Sequence, residues 1–386
     1  MRIEGAAVAG VGMVRFGSHR DRSVADLARE AGLAAMHDAG ITLADVDEAF
    51  VGYIAPRVLV GIKAMKELGL TGLPVTHIEN ASATGLVAFR EAAWAVASGR
   101  AQVAMAIAFD KMTEMAGNRA GGRGAGRDEI DSTILPAAYF ALWAQRRMHE
   151  RGTTAEHFAA VAAKNWNHGA RCSWSHRRPD HEVTVEEVLA SQLVAEPLTA
   201  MMCCPADDGA ACAIVASEAW VRSRQPGRRL VKPVSTALRS ESYAPGLTFL
   251  GPVVGPATMT RDTARDAYEA AGIGPEDVDL AFCHDAFANE ELEYYELLGF
   301  CPPGDGEKLL AAGDTAIGGR IPFNTDGGLI ARGHPGGPTG LAIVHEVVQQ
   351  LRWEADGRQV EGAQHALAHL VGGGSVCTVN LFRGEA

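Results

Sequence analysis

Three polar side chains lie in segments whose composition suits catalysis. Ser82 belongs to the small-residue run 79–85, which precedes an apolar segment; the free backbone N–H groups of a helix beginning there would stabilise an anion. His284 follows an apolar run, and His334 lies in the glycine-rich stretch 327–340. A hydroxyl and two imidazoles supply a nucleophile, a base and donors to an oxyanion. These segments predict a site for chemistry at a carbonyl such as a thioester.

A fourth segment, the glycine run 372–374, follows an apolar strand pattern. Glycines allow close backbone approach, so a backbone N–H group of this run is a further candidate donor to an oxyanion. Simpler roles remain open for the side chains: Ser82 is also a normal helix cap, and His284 also suits a buried core position. The glycine-rich stretch around His334 lacks the Lys-Ser/Thr ending of a phosphate-binding P-loop.

The elements that must position these residues occur twice in the chain. Residues 35–53 and 267–285 align at an offset of 232, with nine of 19 positions identical. In each copy an amphipathic helix stops at a glycine, and a short capped turn leads into a buried strand. His284 is the second-last residue of the second copy, so this histidine is expected at the carboxyl end of a core strand, where α/β proteins bind ligands.

A second correspondence follows each copy. Thr84 and Thr339 each open a Thr-Gly-Leu segment that predicts a helix, and an apolar strand comes after each helix. Ser82 and His334 therefore occupy equivalent turns of two halves, and a site at their pseudo-twofold seam would unite them with His284. Alternating strands and helices predict an α/β fold with mostly parallel sheets.

The halves are predicted at residues 1–115 plus 195–230, and at residues 231–386. Between the two parts of the first half, residues 116–194 are predicted to form an inserted loop domain over the site, beginning with the Gly/Arg-rich stretch 120–127. The surface-like composition of this insertion favours a loop domain. An independent second domain is the alternative.

Composition, charge and cysteine spacing disfavour several classes of protein. The net charge of −12 disfavours an electrostatic nucleic-acid binder. Seven cysteines without a C-x-x-C pair disfavour a disulfide scaffold or a zinc ribbon. No apolar run is long enough to span a bilayer, and the first residues lack the pattern of a secretory signal. These features predict a soluble, cytoplasmic protein.

Five motifs, taken in order, resemble the thiolase superfamily, and most closely its sterol-carrier-protein and lipid-transfer-protein branch. They lie at residues 80–85, 197–211, 284–287, 295–301 and 327–340. The resemblance implies the five-layered αβαβα thiolase fold, a homodimer and an acyl-CoA substrate, with coenzyme A as co-substrate and no bound cofactor or metal. It also implies Claisen condensation or its thiolytic reverse. Many members of the branch pair with a small OB-fold/zinc-ribbon subunit.

The resemblance also implies roles for the site residues. His334 would activate the nucleophile and line the oxyanion hole for the thioester enolate, with His284 as the second histidine of that hole. Gly372 and the backbone amide of Ser82 would form the other oxyanion hole. The arginines of residues 171–178 either form a solvated surface or meet the phosphates of coenzyme A.

The sequence departs from the family pattern in two respects. Ser82 stands where the family has its nucleophilic cysteine, and Ala286 and Leu370 stand at the two usual positions of the acid/base cysteine. Cys283 is adjacent to His284, but strand alternation predicts that it points to the opposite face. A serine hydroxyl is a much weaker nucleophile than a thiolate towards a thioester.

Three interpretations follow from these departures. The first is a thiolase-type acyltransferase that makes or cleaves a C–C bond beside a thioester, with Ser82 either natural or an engineered replacement of cysteine. The second is a thiolase-like retro-aldolase, a lyase acting on a 3-hydroxyacyl-CoA such as a steroid side-chain thioester, which needs no acyl-enzyme. The third is a non-catalytic scaffold subunit, against which the retention of His284 and His334 argues.

Overall fold

A computed structural model describes residues 1–54, 58–114, 136–242 and 257–385. The Gly/Arg-rich stretch 120–127, at the start of the predicted insertion, lies outside these residues. The strands are β1 (Ala6–Met13), β2 (Glu48–Gly52), β3 (Val75–Ile78), β4 (Val103–Lys111), β5 (Leu193–Ala195), β6 (Leu198–Thr199), β7 (Asp208–Ser217), β8 (Leu230–Ser240), β9 (Leu280–Phe282), β10 (His365–Gly372) and β11 (Val376–Glu385).

Helices alternate with these strands along most of the chain. They are α1 (Val24–Ala39), α2 (Val60–Lys66), α3 (Thr84–Ala97), α4 (Pro136–Arg151), α5 (Ala155–Ala170), α6 (Val185–Ala190), α7 (Glu218–Arg224), α8 (Ala257–Ala271), α9 (Ala288–Leu297), α10 (Gly306–Ala311), α11 (Gly328–Ala331) and α12 (Thr339–Arg352). The predicted helices after Thr84 and Thr339, and the strand after each, are therefore confirmed.

Two sheets form the framework. The first has the order β1-β7-β4-β2-β3 and the second β8-β11-β10-β9, with β5 and β6 as a separate pair. Strands β4, β2 and β3 run parallel, as do β10 and β9, whereas β1–β7, β7–β4, β8–β11 and β11–β10 pair antiparallel. The prediction of mostly parallel sheets is therefore wrong. One reason is that a tight turn after Gly372, with Ser375 N–H bonded to its carbonyl, reverses the chain directly into β11.

Helices cover both faces of both sheets. Helix α1 packs on the outer face of the first sheet, and α8 packs on the outer face of the second. Helices α3 and α12 lie between the sheets, in contact with each other. The result is the predicted five-layered αβαβα arrangement of an α/β fold, whose middle helices are mostly buried.

The two copies of the sequence repeat adopt the same local structure. Helix α1 ends at Gly40 with φ +70°, and α8 is followed by Gly272 with φ +73°, a conformation in which glycine is favoured. Asp47 then accepts hydrogen bonds from the backbone N–H groups of residues 102 and 103, at 2.8 and 3.0 Å. Asp279 does the same for residues 364 and 365, both at 2.8 Å. In both halves one carboxylate therefore anchors the start of a strand that is a neighbour in the sheet, β4 or β10.

The two middle helices meet at their N-termini. A Cβ atom on Gly85 would lie 2.7 Å from the carbonyl oxygen of Gly337 and 2.7 Å from the N atom of Leu341. A Cβ on Gly340 would clash in the same way with the backbone N atom of Leu86. Only glycine permits this crossing, which brings the turns before α3 and α12 to one seam.

Part of the predicted insertion packs against the C-terminal half, which contains the second sheet. Helix α5 contacts α9 and α11, the two short helices that follow His284 and precede His334. The boundaries of the two halves and of the insertion stay predictions. Within the described part of the chain, no helix is both long and apolar enough to cross a membrane.

Candidate active site

Ser82 lies in the turn that joins β3 to α3. The turn is tight: Ala81 has a positive φ of +48°, and the N–H of Asn80 donates to the Thr84 hydroxyl at 2.8 Å. The Ser82 Oγ lies 3.0 Å from Nε2 of His334. Helix α3 starts behind Ala83 without a side-chain cap, so the alternative that Ser82 caps this helix is wrong.

The ring nitrogen of His334 that does not contact Ser82 lies next to a neutral group. This nitrogen, Nδ1, lies 2.8 Å from the Thr339 hydroxyl at the start of α12. Asp110 holds the loop by accepting the N–H of Gly337 at 2.9 Å and that of Ile54 at 3.1 Å. Burial, followed by the charges of His284 and Arg332, lowers the pKa of His334 well below its usual value. The imidazole facing Ser82 is therefore neutral.

His284 lies beside His334 but is held by a carboxylate. The two rings meet edge to face, with centroids 5.5 Å apart. Nδ1 of His284 lies 2.8 Å from Oε1 of Glu290, which is completely buried in the first turn of α9. The other oxygen of Glu290 accepts the N–H of Phe287 at 3.0 Å. The two histidines of the site thus have different partners.

A buried carboxylate next in sequence fixes the loop that carries His284. Asp285 accepts the N–H of Leu329 at 2.7 Å and the side-chain amide of Asn165 at 2.9 Å. Burial and the nearby charge of Glu291 raise the pKa of Asp285 well above its usual value. The loop is thereby tied both to α11 and to helix α5 of the insertion.

Gly372 completes the set of predicted site residues. A Cβ atom at this position would collide with the carbonyl of Asn80, so the end of β10 lies directly against the turn that carries Ser82. The structure thus groups Ser82, His284, His334 and Gly372 at one place. Their catalytic roles stay predictions.

The side chains at the positions expected for an acid/base cysteine are Ala286 and Leu370, both buried. Cys283 is fully buried, with Sγ 3.7 Å from the Asn324 side-chain amide. Burial and the neighbouring carboxylates raise its pKa well above its usual value. In the part of the chain that is described, no cysteine hydrogen-bonds to Ser82, His284 or His334. Cys283 is therefore a core residue, as predicted.

Two residues that contact the histidines were not identified from the sequence. Glu290 follows His284 by six residues, a spacing without catalytic meaning, and its only signal is a glutamate three residues after Phe287, as in a helix capping box. The sequence indicates Thr339 only as the start of a helix. Its signal is its place five residues after His334, in the loop that the helix follows.

The basic run 171–178 is not uniform. Arg177 is half-buried: it donates to the carbonyls of Cys203 at 2.7 Å and Ile330 at 2.9 Å, and it lies over the Trp166 ring at 4.9 Å. It therefore contributes to packing rather than to a solvated surface. Arg171 is exposed on a surface depression of about 410 Å³, next to His181. No cluster of potential metal ligands occurs among the described residues.

Comparison with known protein families shows which family this chain belongs to. The model described as "Thiolase, N-terminal domain" matches residues 3–219, and the one described as "Thiolase C-terminal domain-like" matches residues 253–381. The chain belongs to the thiolase superfamily.

Individual relatives place the protein more closely. Sterol carrier protein 2 of Homo sapiens is 37% identical over 395 residues, covering 97% of this chain and 71% of the relative. Acetyl-CoA acetyltransferase of Methanothermobacter thermautotrophicus is 36% identical over 387 residues, covering 97% and 98%. A solved Ltp2-ChsH2(DUF35) aldolase superimposes with a TM-score of 0.83 at 25% identity, covering 99% of each chain. The protein is an enzyme of the thiolase superfamily, in its sterol-carrier-protein branch.

Proposed function

We propose that this protein is a thiolase-like lyase that cleaves a 3-hydroxyacyl-CoA by a retro-aldol reaction. In this reaction a base removes the proton of the 3-hydroxyl group, and the bond between C2 and C3 breaks. The products are a ketone or an aldehyde and a shortened acyl-CoA. The histidines hold the thioester enolate that forms, so no acyl-enzyme is needed.

The observation that carries this proposal is the partner of Ser82. A serine needs a base that can accept its proton before it attacks a thioester. Here that base would be His334, which is half-buried and backed by a threonine hydroxyl, and whose pKa is lowered by burial and by the charges of His284 and Arg332. An imidazolium is therefore costly at this position, and Ser82 stays a hydroxyl.

The absence of the family's thiols supports the same conclusion. Claisen chemistry needs a group that removes a proton from the nucleophilic acyl-CoA, and Ala286 and Leu370 cannot do so. A retro-aldol cleavage needs only a base for a hydroxyl and donors for an enolate. The similarity to an aldolase of the same fold also supports this choice.

Thiolase-type acyl transfer is the second candidate. It is favoured by the 3.0 Å contact between the Ser82 hydroxyl and Nε2 of His334, a nucleophile–base distance. The similarity to an acetyl-CoA acetyltransferase favours it too. In that scheme Ser82 would take the acyl group of a 3-oxoacyl-CoA, and coenzyme A would then collect it.

Variants at position 82 separate the two candidates. Ser82→Ala and Ser82→Cys are compared with the unaltered protein on panels of 3-hydroxyacyl-CoAs and of 3-oxoacyl-CoAs with coenzyme A. We expect Ser82→Ala to keep the cleavage of 3-hydroxyacyl-CoA within about tenfold, since a hydrogen bond to a neutral group contributes about 1 kcal/mol. Intact mass should show no acyl adduct on the unaltered protein. If Ser82→Ala loses all turnover and Ser82→Cys gains an acyl adduct and thiolysis, acyl transfer replaces the lyase proposal.

We also propose assembly into a homodimer, with a small OB-fold/zinc-ribbon subunit as a further partner. Strand β3 is at the edge of the first sheet, and Thr76 and His77 on it are exposed, which leaves an edge that a second copy can pair with. The solved relative with a DUF35 component supports the further partner. Light scattering and co-purification test these states, and a fully active monomer would contradict both. The cysteine usage supports a cytoplasmic location.

A further inference from the structure

The carboxylate that contacts His284 is Glu290, a residue to which the family resemblance assigned no role. Glu290 is fully buried, and it accepts hydrogen bonds from the N–H of Phe287 at 3.0 Å and the Tyr294 hydroxyl at 3.4 Å. Its Oε1 lies 2.8 Å from Nδ1 of His284. A carboxyl group that meets only donors is best satisfied as an ionised acceptor. Glu290 therefore fixes a proton on Nδ1 of His284.

The fixed proton decides what the other ring nitrogen can do. With Nδ1–H donated to Glu290, Nε2 of neutral His284 carries a lone pair and can accept a proton. The imidazolium that then forms is stabilised by the carboxylate next to it. His334 has only the Thr339 hydroxyl in the corresponding position. Of the two histidines, His284 is the better base.

The other titratable side chains packed around His284 and Glu290 do not place a negative charge next to the imidazole. On the same helix, burial and the charge of Glu290 raise the pKa of the Tyr294 hydroxyl. On β10, burial and then the charge of His284 lower the pKa of His369, whose ring lies 4.4 Å from that of Tyr294, to about 3. The Cys204 thiol also has a raised pKa through burial. Tyr294, His369 and Cys204 are therefore neutral.

Further titratable groups approach the histidine from other elements. His334, on the loop before α12, is neutral. Asp285, on the histidine's own loop, is bonded to Leu329 and Asn165, and Glu291 to Lys164 and Asn165. Glu290 is the carboxylate in direct contact with the imidazole of His284.

We propose that Glu290 is a positioning residue that makes His284 the general base of C–C bond cleavage. This inference rests on the lyase function proposed above. Nε2 of His284 takes the proton of the 3-hydroxyl group, and the O–H electron pair forms the new C=O bond. The C2–C3 bond breaks, and its electron pair passes into the thioester enolate. The imidazolium then returns the proton from Nε2 to C2, so no net proton is gained or lost.

The test compares Glu290→Gln with Glu293→Gln, a matched control on the same helix. Glu293 pairs with Arg147 at 3.1 Å and does not contact the histidines. Gln at 290 can still accept the N–H of Phe287 but removes the charge. We expect Glu290→Gln to lower kcat about 10²- to 10³-fold with a nearly unchanged KM, within the usual range for general-base catalysis. The control should stay within about threefold of the unaltered protein, an effect typical of a site outside the catalytic groups.

The pH profile gives a readout that a purely structural role would not change. Loss of the neighbouring negative charge destabilises the imidazolium, so the acidic limb of kcat/KM should move to lower pH in Glu290→Gln. Glu290→Asp keeps the charge on a shorter side chain and should retain the position of the limb with a smaller loss of kcat. It also serves as the test variant if Glu290→Gln does not fold.

Histidine NMR on the substrate-free protein separates this inference from the proposed function. The ¹⁵N shifts of His284 should show Nδ1–H in the unaltered protein and a changed tautomer in Glu290→Gln. If the unaltered protein cleaves no 3-hydroxyacyl-CoA, the lyase function fails whatever the NMR result. If cleavage is observed but Glu290→Gln keeps its kcat, its pH profile and the His284 tautomer, the role of Glu290 is overturned.

Discussion

The two halves of the chain share a scaffold but deliver different side chains to the seam between them. In each half an aspartate anchors the start of a strand, a glycine ends the preceding helix, and a threonine opens the central helix. The hydroxyl of Thr84 accepts a backbone N–H of its own turn, whereas the hydroxyl of Thr339 contacts His334. Symmetric backbone elements therefore place the site, and asymmetric loops determine its chemistry.

The difference is largest in the groups that can move protons. The N-terminal half contributes a serine whose partner is a neutral imidazole, whereas the C-terminal half contributes both histidines and the buried Glu290. Both halves place a helix N-terminus at the seam, but only the C-terminal half places an imidazole against a carboxylate.

The crossing of the central helices offers the strongest way to test the symmetry. Gly85→Ala and Gly340→Ala should each destabilise the protein by several kcal/mol, because the added Cβ meets backbone atoms that cannot move independently. Urea unfolding measures the loss. Gly357→Ala, where a Cβ meets nothing within 4 Å, is the control. A change below about 1 kcal/mol in either variant would mean that the crossing relaxes and is not what positions the site.

We expect buried histidines of the C-terminal half to lower the stability of the protein at acidic pH, an effect without a counterpart in the N-terminal half. Burial lowers the pKa of His345 and His369, both in the C-terminal half, to about 3, and no described histidine of the N-terminal half is buried. The unfolded chain takes up these protons below about pH 6.5, whereas the folded protein does not, so stability is retained above that pH and lost as the pH falls towards 3. Each histidine contributes up to about 1.4 kcal/mol per pH unit.

Urea midpoints at several pH values measure this dependence. His369→Leu should reduce its slope, because this variant removes an imidazole whose two nitrogens have no hydrogen-bond partner. His149→Gln, at an exposed position of α4, should leave the slope unchanged. An equal slope in all three proteins would assign the acid sensitivity to other groups.

The aspartate anchors should show the smallest and most symmetric effect. Asp47→Ala and Asp279→Ala each remove an acceptor for two backbone N–H groups. We expect a loss of about 1 to 2 kcal/mol in each, since water can replace part of the bonding at these exposed or half-buried positions. Thermal unfolding of the two variants checks whether the losses agree. Losses that differ by several kcal/mol would show that the repeat is not energetically symmetric.

Much of this architecture could be predicted from periodic patterns. The repeat correctly placed the helix ends at Gly40 and Gly272, and the strand before His284. The sheet direction was predicted incorrectly, because the order of strands within a sheet depends on long-range pairing. Strand β7 pairs with β1 and β4, which lie far from it in sequence, and no local pattern encodes that choice.

The sequence by itself determined the family, the duplicated halves and the residues gathered at the seam, because these depend on motifs and local periodicity. Only the tertiary structure decided which histidine is backed by a carboxylate and which by a hydroxyl. It also showed that Cys283 is a core thiol and that Ser82 faces His334 across 252 residues of chain. The physical reason is that the proton affinity of a side chain depends on its neighbours in space, and these come from elements that the local sequence does not connect.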